Sequence, residues 1–347
     1  MKSMVLTDIL GMEMCDIDEP HVANAHDVLL QVGTVGVCGS DIHYYKSGRI
    51  GSQVVSYPYA VGHEFSGIVL EVGSAVTRVA PGDRVAVDPA MPCRQCDQCL
   101  IGREHTCRQL RFLGCPGQAE GCLSERIVMP EGSCFRVSDS TTLEQAAIVE
   151  PLSIGVYAVA LSGIPMQGAK IGILGFGPIG MSVMLSALAE GAETIYVTDK
   201  IDGRVDKARD VGATWAGNRS KEDAVGEISD AEPGLLDVVF ECCGKQDALD
   251  DAIALLKPGG KLMFIGIPEE DRVSFSCDAI RRKEINIQNV RRQNECVQPA
   301  IDLIEQGRID VDQMITHRYP LSESKAAFDL VSGYEDNVMK AVVNVSA

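Results

Sequence analysis

The feature that most restricts the fold of this 347-residue chain is a regular alternation of apolar runs and helical stretches over residues 152–292. The apolar runs have the length of buried strands, and they include "AKIGILGFG", "TIYVTDK", "LLDVVFECCG" and "KLMFIGI". Strand, helix and strand repeated in this way predict an α/β unit with a doubly wound parallel sheet, the Rossmann arrangement.

A glycine-rich turn follows the first of these predicted strands. In "ILGFGPIG" the residues Gly175, Gly177 and Gly180 have the G-x-G-x-x-G spacing, and the stretch leads directly into a helix. The first glycine permits a tight turn, the second lets the backbone approach a pyrophosphate, and the third allows close helix packing. Unpaired N–H groups at the start of that helix would face the phosphates. The turn therefore predicts a dinucleotide site.

An acidic residue, Asp199, ends the next strand, "TIYVTD". Its carboxylate can accept hydrogen bonds from both ribose hydroxyls and would repel a 2′-phosphate, which favours NAD over NADP. Two cations close in sequence, Lys200 and Arg204, weaken that preference. The alternative is a doubly wound domain that binds no nucleotide.

Residues 1–151 have a different sequence pattern, with short alternating strands broken by glycine and proline, which predicts a compact β-rich domain.

The formal net charge of -18 argues against a nucleic-acid partner, since binding to a phosphate backbone needs clustered cations. The N-terminus lacks the apolar core of a signal peptide. The longest uncharged run, residues 171–189, suits a buried strand and a packed helix better than a membrane span, so we expect a cytoplasmic protein without a membrane partner.

One loop, "CRQCDQCLIGREHTC", brings together Cys93, Cys96, Cys99 and Cys107. Four thiolates at this spacing are typical of a tetrahedral zinc ion, and because no coordination position stays open, the ion would be structural. A disulfide or redox cluster is the alternative. We expect His105, inside the loop, to lie at the surface.

Three further segments contain candidate ligands for a second metal. Cys38 lies in "VGVCGSDIHYY", His63 and Glu64 are adjacent in "GHEF", and Glu150 precedes a proline in "VEPLSIG", where we expect a helix to start. A thiolate, an imidazole and carboxylates can form a zinc site that leaves a position for water or substrate. Each residue also has an ordinary structural explanation, and spacing alone does not decide between the two.

Taken together, these motifs resemble a known family. "VGVCGSDIHYYKSGRIG", "GHEFSGIVLEVGSAV", "PGDRVAV", the four-cysteine loop, "EPLSIG" and "GFGPIGM" are similar to the zinc-dependent medium-chain alcohol dehydrogenases. Within that family, "HYYKSGRIG" and "THRYPL" are similar to the sorbitol (polyol) dehydrogenase branch. The resemblance implies a GroES-like catalytic domain formed by residues 1–151 and 293–347, and a Rossmann NAD-binding domain formed by residues 152–292. It also implies a homotetramer or homodimer acting on a small polyol or alcohol.

The resemblance also assigns roles to the candidate metal ligands. Cys38, His63 and Glu64 would bind the catalytic zinc, and Glu150 would face the zinc-bound water or act as an alternative ligand. Asp41 would orient His63, in keeping with the need to fix the tautomer of a ligating imidazole. The zinc ion would then lower the pKa of the alcohol.

Proton transfer, substrate and cofactor residues follow from the same resemblance. Ser40 and His43 match a relay that carries the alcohol proton outward, and Tyr44 and Arg291 match positions that contact polyol hydroxyls. Beyond the glycines, the residues that match NAD contacts are Ile179, Asp199, Arg204, Ile265, Gly266 and Ile267.

Two departures from the polyol branch keep other substrates open. Animal members mostly lack the four-cysteine site, and Arg292 stands where an aromatic residue often follows the substrate arginine. An L-threonine or 2,3-butanediol dehydrogenase is therefore an alternative, because Arg291 and Arg292 can bind the carboxylate of an amino acid bidentately as well as a row of hydroxyls. A phosphorylated polyol is a further alternative, although no cluster of basic residues in the sequence marks a phosphate pocket. A non-catalytic protein that binds zinc and nucleotide is the remaining alternative, although the set of relay and ligand residues is complete.

Overall fold

The computed structural model describes residues 1–346. The chain forms two compact units, one made of Met1–Glu150 together with the chain from Val297 onwards, and the other of Pro151–Cys296. The first unit is β-rich and the second contains a parallel sheet between helices, so the expected fold class is confirmed.

The N-terminal part of the first unit consists of short strands and few helices. Its strands are β1 (Lys2–Asp8), β2 (Gly11–Asp16), β3 (Asp27–Gly36), β4 (Arg49–Ile50), β5 (Gln53–Val54), β6 (Tyr59–Ala60), β7 (Glu64–Val72), β8 (Arg84–Val87), β9 (Ala90–Met91), β10 (Arg111–Phe112), β11 (Arg126–Pro130) and β12 (Cys134–Arg136). Its helices are α1 (Gly39–Ser47), α2 (Asp97–Leu100) and the start of α3 (Leu143–Ser162).

The second unit alternates strands and helices along the chain. In chain order these are β13 (Lys170–Leu174), α4 (Pro178–Ala189), β14 (Thr194–Asp199), α5 (Asp202–Val211), β15 (Trp215–Asn218), α6 (Ala224–Ala231), β16 (Leu236–Glu241), α7 (Gln246–Leu255), β17 (Leu256–Phe264), α8 (Cys277–Lys283) and β18 (Asn286–Asn289). The chain then returns to the first unit with α9 (Val297–Glu305), β19 (Ile315–Pro320), α10 (Ser324–Gly333) and β20 (Lys340–Asn344).

The main sheet of the first unit is built around β3. The strand order is β12-β8-β7-β3-β20-β19, and β11 pairs with the first half of β3. Most of β3 is buried, as expected for a central apolar strand with neighbours on both edges. Strand β20 pairs with the end of β3, so the C-terminal segment completes the sheet next to the residues that lead into α1.

The sheet of the second unit has the order β15-β14-β13-β16-β17-β18, and all of its pairs are parallel. The order reverses between β13 and β16, and in sheets of this kind ligands bind beyond the carboxyl ends of the strands at that point. The uncharged run 171–189 is divided between β13 and α4, as the sequence predicted.

Helix α3 contains the point at which the chain passes from one unit to the other. By length and composition it is apolar enough to cross a membrane, but 67% of its most apolar window is buried inside the protein, as in a core helix. Pro151 lies inside this helix, so the predicted helix start at that proline is wrong. The apolar pattern continues on both sides of Pro151, and packing of that pattern prevails over the usual preference of proline for a first turn.

Candidate active site

The structure brings together three predicted ligands in the first unit. The donor atoms of Cys38, His63 and Glu64 lie within 4.8 Å of one another. Cys38 stands at the N-terminal cap of α1, His63 precedes β7, and Glu64 is the first residue of β7. Gly36 pairs with Glu64 across β3 and β7, and a Cβ at Gly36 would lie 2.3 Å from the Glu64 Oε2 atom. Only glycine leaves room for this carboxylate.

The fully buried Asp41 fixes the orientation of His63. Its Oδ1 atom lies 3.4 Å from His63 Nδ1 and accepts a hydrogen bond from the Gly62 N–H, while Oδ2 accepts one from the Cys38 N–H. Burial lowers the pKa of His63, but Asp41 and Cys38 outweigh it and hold that pKa above its ordinary value. With Nδ1 directed to Asp41, the Nε2 atom is left for a metal ion.

A residue that sequence reasoning missed, Lys340, supports the cluster. This side chain, 2% exposed, comes from β20 and donates to both oxygens of Glu64 at 2.9 and 2.7 Å and to the Val37 carbonyl at 3.1 Å. The only hint in the sequence is a single charge within the apolar strand "VMKAVVNV". These bonds hold both oxygens of the Glu64 carboxylate in place beside the other two ligands.

Glu150 is buried in the same unit, inside α3. Burial raises its pKa to about 8, with Glu64 and Asp88 acting in the same direction and His63 and Lys340 in the opposite one. These interactions bring Glu150 into the electrostatic environment of the cluster.

The predicted relay and substrate residues of the first unit lie along α1. The Ser40 hydroxyl is 3.4 Å from Cys38 Sγ, and His43 is half-buried one turn further on. Tyr44 is buried, and its hydroxyl donates to Gln53 Oε1 at 3.1 Å. Gln53 donates in turn to Cys115 Sγ at 2.8 Å, a polar contact that the sequence analysis did not predict.

Arg291 and Arg292 belong to the second unit, after β18. Arg291 is exposed, and Arg292 is half-buried in the left-handed region at φ 55°.

The four-cysteine loop forms the second group of potential ligands. The sulfur atoms of Cys93, Cys96, Cys99 and Cys107 lie within 4.8 Å of one another. Backbone N–H groups of Arg108 and Cys99 lower the pKa of Cys96 to about 6, which favours the thiolate that a metal binds.

His105 occupies a short 3₁₀ turn, Glu104–Thr106, between the last two cysteines of the loop. Its side chain is buried, so the predicted surface position is wrong. The loop therefore buries the His105 ring together with Cys107, whereas Cys93, Cys96 and Cys99 are half-buried.

The glycine turn of the second unit has the geometry that its spacing predicts. Gly175 adopts φ 94°, and a Cβ at Gly180 would lie 2.0 Å from the Gly175 carbonyl oxygen. Gly177 caps α4, and a Cβ there would lie 3.3 Å from an Arg204 guanidinium nitrogen. The second glycine thus presents open backbone beneath a cation, which suits a pyrophosphate. Ile179 is half-buried in the first turn of α4.

Asp199 ends β14 and is almost fully buried. Its carboxylate accepts hydrogen bonds from the N–H groups of Phe176 at 2.6 Å and of Lys200 and Ile201 at 2.7 and 2.9 Å. These bonds hold the glycine turn against the end of β14.

The other predicted NAD-contacting backbone, residues 265–267, is held by a buried acid that sequence reasoning missed. The N–H groups of Ile265 and Gly266 donate to the Glu241 carbonyl, and Ile267 is exposed. The Glu241 carboxylate accepts from the Cys243 and Gly244 N–H groups at 2.8 and 2.6 Å. The available signal was Glu241 itself, an acid that directly follows the apolar residues "VVF".

These two groups of ligands fit the ions that the sequence suggests. A thiol, an imidazole and a carboxylate around one point suit a zinc ion with an open position, and four thiols suit a closed structural site. The glycine turn, the helix N-terminus and Asp199 likewise suit a dinucleotide with free ribose hydroxyls. All thirteen cysteines are free thiols.

Comparisons with known proteins agree with this chemistry. Residues 24–139 match the model of the alcohol dehydrogenase GroES-like domain, and residues 178–306 match that of zinc-binding dehydrogenases. The chain is 34% identical over 344 residues to sorbitol dehydrogenase of Bacillus subtilis, a similarity that covers 99% of this chain and 97% of that protein.

Two solved structures are similar to this chain over almost its whole length. In each, the similarity covers 99% of this chain and 99% of the other chain. One is 2R,3R-butanediol dehydrogenase from Bacillus subtilis, with a TM-score of 0.89 and 29% identity. The other is a zinc-binding dehydrogenase from Sinorhizobium meliloti bound to NADP, with a TM-score of 0.90 and 30% identity.

Proposed function

Because this chain belongs to the zinc-dependent medium-chain alcohol dehydrogenases, in which an alcohol is oxidised with a nicotinamide dinucleotide, we propose that it oxidises a secondary hydroxyl of a polyol to the ketose. The substrate would be of the sorbitol or xylitol type and the hydride acceptor NAD. The observation that carries the proposal is the cluster of Cys38, His63 and Glu64 with its donor atoms within 4.8 Å. The similarity to a sorbitol dehydrogenase supports the polyol.

Cys38, His63 and Glu64 would hold the catalytic zinc. When bound, the zinc ion supplies a Lewis acid that polarises the substrate hydroxyl, and NAD supplies the hydride acceptor. Asp41 keeps the His63 ring in the orientation that leaves Nε2 free for the metal. Lys340 holds the Glu64 carboxylate in place through two hydrogen bonds.

The residues of α1 would move the proton and bind the substrate. Ser40, beside Cys38, accepts the proton of the substrate hydroxyl, and His43 passes it on near neutral pH. Tyr44 and Arg291 would bind further hydroxyls, and Glu150 would bind water or substrate near the cluster.

A specific observation favours a second candidate, a 2,3-butanediol substrate. The butanediol dehydrogenase of Bacillus subtilis has the same fold at 29% identity. A vicinal diol presents two adjacent hydroxyls, as a polyol does, but it has no further hydroxyl for Tyr44 or Arg291 to bind. Activity on longer polyols therefore separates the two candidates.

The test is the rate of NADH formation by the purified, zinc-replete protein with D-sorbitol, xylitol, 2,3-butanediol and L-threonine. We expect a clear preference for the polyols in kcat/KM. Preference for butanediol or threonine would keep the zinc and NAD chemistry and overturn the polyol. Ser40→Ala is expected to slow turnover by about 10²-fold or more with unchanged zinc content. Full activity in that variant would contradict the proposed proton relay through Ser40.

We also propose a cytoplasmic homotetramer or homodimer whose partners are small molecules only. Light scattering coupled to size-exclusion chromatography measures the assembly, and a monomer at micromolar concentration would contradict it.

A further inference from the structure

Two cations begin next to the carboxylate that we assign to the cofactor ribose. Lys200 directly follows Asp199 at the end of β14. Arg219 directly follows β15, where Asp199 and Asn218 are paired, and its backbone N–H donates to the Asp199 carbonyl at 3.1 Å. Both side chains therefore start at the carboxyl edge of the sheet, where a dinucleotide binds.

The charged ends of both side chains are bound to acids of α7. Arg219 contacts Asp247 Oδ2 through Nη1 at 2.5 Å and Asp251 Oδ2 through Nε at 2.6 Å. Lys200 Nζ lies 3.2 Å from the same Asp247 oxygen. Asp247 and Asp251 are four residues apart and so share one face of α7. We call these four residues the α7 ion-pair network.

Within the network, the pair of Arg219 and Asp251 is better shielded from water than an ordinary surface ion pair. Their side chains are 25% and 18% exposed, whereas those of Lys200 and Asp247 are 53% and 40% exposed, and Arg219 contacts both acids at once. Linked, partly buried pairs of this kind hold their side chains in place more firmly than isolated exposed pairs, which contribute little. The Arg219 guanidinium therefore stays bound to the two acids of α7.

A 2′-phosphate needs a cation beside it, and this network keeps two nearby cations bound to acids. Sites that accept the phosphate of NADP supply a cation for it, usually an arginine. Here Asp199 repels the phosphate, and Lys200 and Arg219, which begin beside it, are paired with two acids. A third cation, Arg204, lies over Gly177 of the glycine turn. The Sinorhizobium meliloti relative bound to NADP indicates that the same fold can accept the phosphorylated dinucleotide.

We propose that the α7 ion-pair network is a specificity determinant, which selects NAD over NADP by holding Lys200 and Arg219 away from the ribose 2′ position. The inference rests on the proposed use of NAD by this chain. It assigns to Asp247 and Asp251 a role in excluding NADP that is separate from the repulsion by Asp199.

The test measures dissociation constants of NAD and NADP by isothermal titration calorimetry on the full zinc-replete protein. In the double variant Asp247→Asn with Asp251→Asn, we expect the ratio of the NADP constant to the NAD constant to fall by about tenfold, the effect of roughly one unscreened charge interaction. The change should come from tighter NADP binding. Adding Arg219→Ala or Lys200→Ala to the double variant should reverse it.

The matched control is Asp206→Asn with Asp278→Asn. These acids of α5 and α8 also pair with arginines, at 2.8 and 3.1 Å, and their removal changes the net charge equally. Circular dichroism checks that every variant is folded.

An unchanged ratio in a folded double variant that binds NAD would overturn the inference. Equal weakening of both dinucleotides would do so too, because it would make the network purely structural, and so would the same fall in the control. If the unaltered protein binds neither dinucleotide, the proposed use of NAD fails, and this inference fails with it.

Discussion

Replacing Lys340 by methionine tests whether the buried ion pair with Glu64 holds the site together. The substitution keeps the length of the side chain and removes three hydrogen bonds from Nζ, two of them to a carboxylate that is 1% exposed. Removing one partner of a buried pair leaves an uncompensated charge and typically costs about 3 to 5 kcal/mol. We expect a loss of that size in the free energy of unfolding of the first unit.

Guanidinium denaturation measures the loss. Circular dichroism follows both units, whereas the single tryptophan, Trp215, lies on β15 and reports on the second unit. The destabilisation should therefore appear in the circular dichroism transition and leave the Trp215 fluorescence transition in place. It should be larger after chelation than with zinc, because a bound cation would also neutralise Glu64.

Two further variants decide the interpretation. Lys340→Arg keeps the charge and should lose much less stability than Lys340→Met. Adding Glu64→Gln to Lys340→Met removes the unpaired charge and should recover most of the loss while abolishing binding of the catalytic zinc. A loss below about 1 kcal/mol in the single variant, or no recovery in the double variant, would refute the reasoning.

Three other changes test separate parts of the molecule. Cys99→Ser should lower the zinc content from about two ions per chain to about one in plasma mass spectrometry, since the four-sulfur site loses a ligand; two retained ions would contradict that site. Gly180→Ala should abolish NAD binding in calorimetry, because the added Cβ would lie 2.0 Å from the Gly175 carbonyl oxygen, and normal affinity would contradict this packing. Hydrogen bonds from the N–H groups of Thr77 and Arg78 help to lower the pKa of Glu131 from 4.5 to about 2, so its stabilisation is present above pH 4.5 and is lost as the pH falls towards 2. Glu131→Gln should therefore cost about 2 kcal/mol near pH 7 in urea denaturation and much less near pH 2, and equal loss at both pH values would contradict the assignment.

The sequence predicted those parts of the site that depend on local spacing. The glycine turn and the four-cysteine loop each lie within a short segment, so their residue types and intervals were enough to indicate the chemistry. The alternation of strands and helices likewise predicted the parallel sheet, because the period of an apolar pattern follows the element that buries it.

The missed features depend on pairings between distant segments. Lys340 reaches Glu64 because β20 pairs with β3, and no local pattern specifies which strand lies beside which. Glu150 was placed at a helix start because Pro151 suggested one, whereas packing extends α3 through the proline. His105 was assigned to the surface from its position in a polar loop, and its burial depends on how that loop folds back on itself.

The return of the chain to the first unit after Cys296 has a consequence for biosynthesis. The second unit is one continuous segment, so its residues have all been made before α9 emerges from the ribosome. The first unit has to wait for β20, because that strand closes the sheet beside β3 and delivers Lys340 to Glu64. Translation adds about 5 to 20 residues per second, which leaves the unfinished half exposed to chaperones and proteases for several seconds. A premature stop before residue 340 would thus release a finished nucleotide-binding unit joined to a half that cannot complete its metal site.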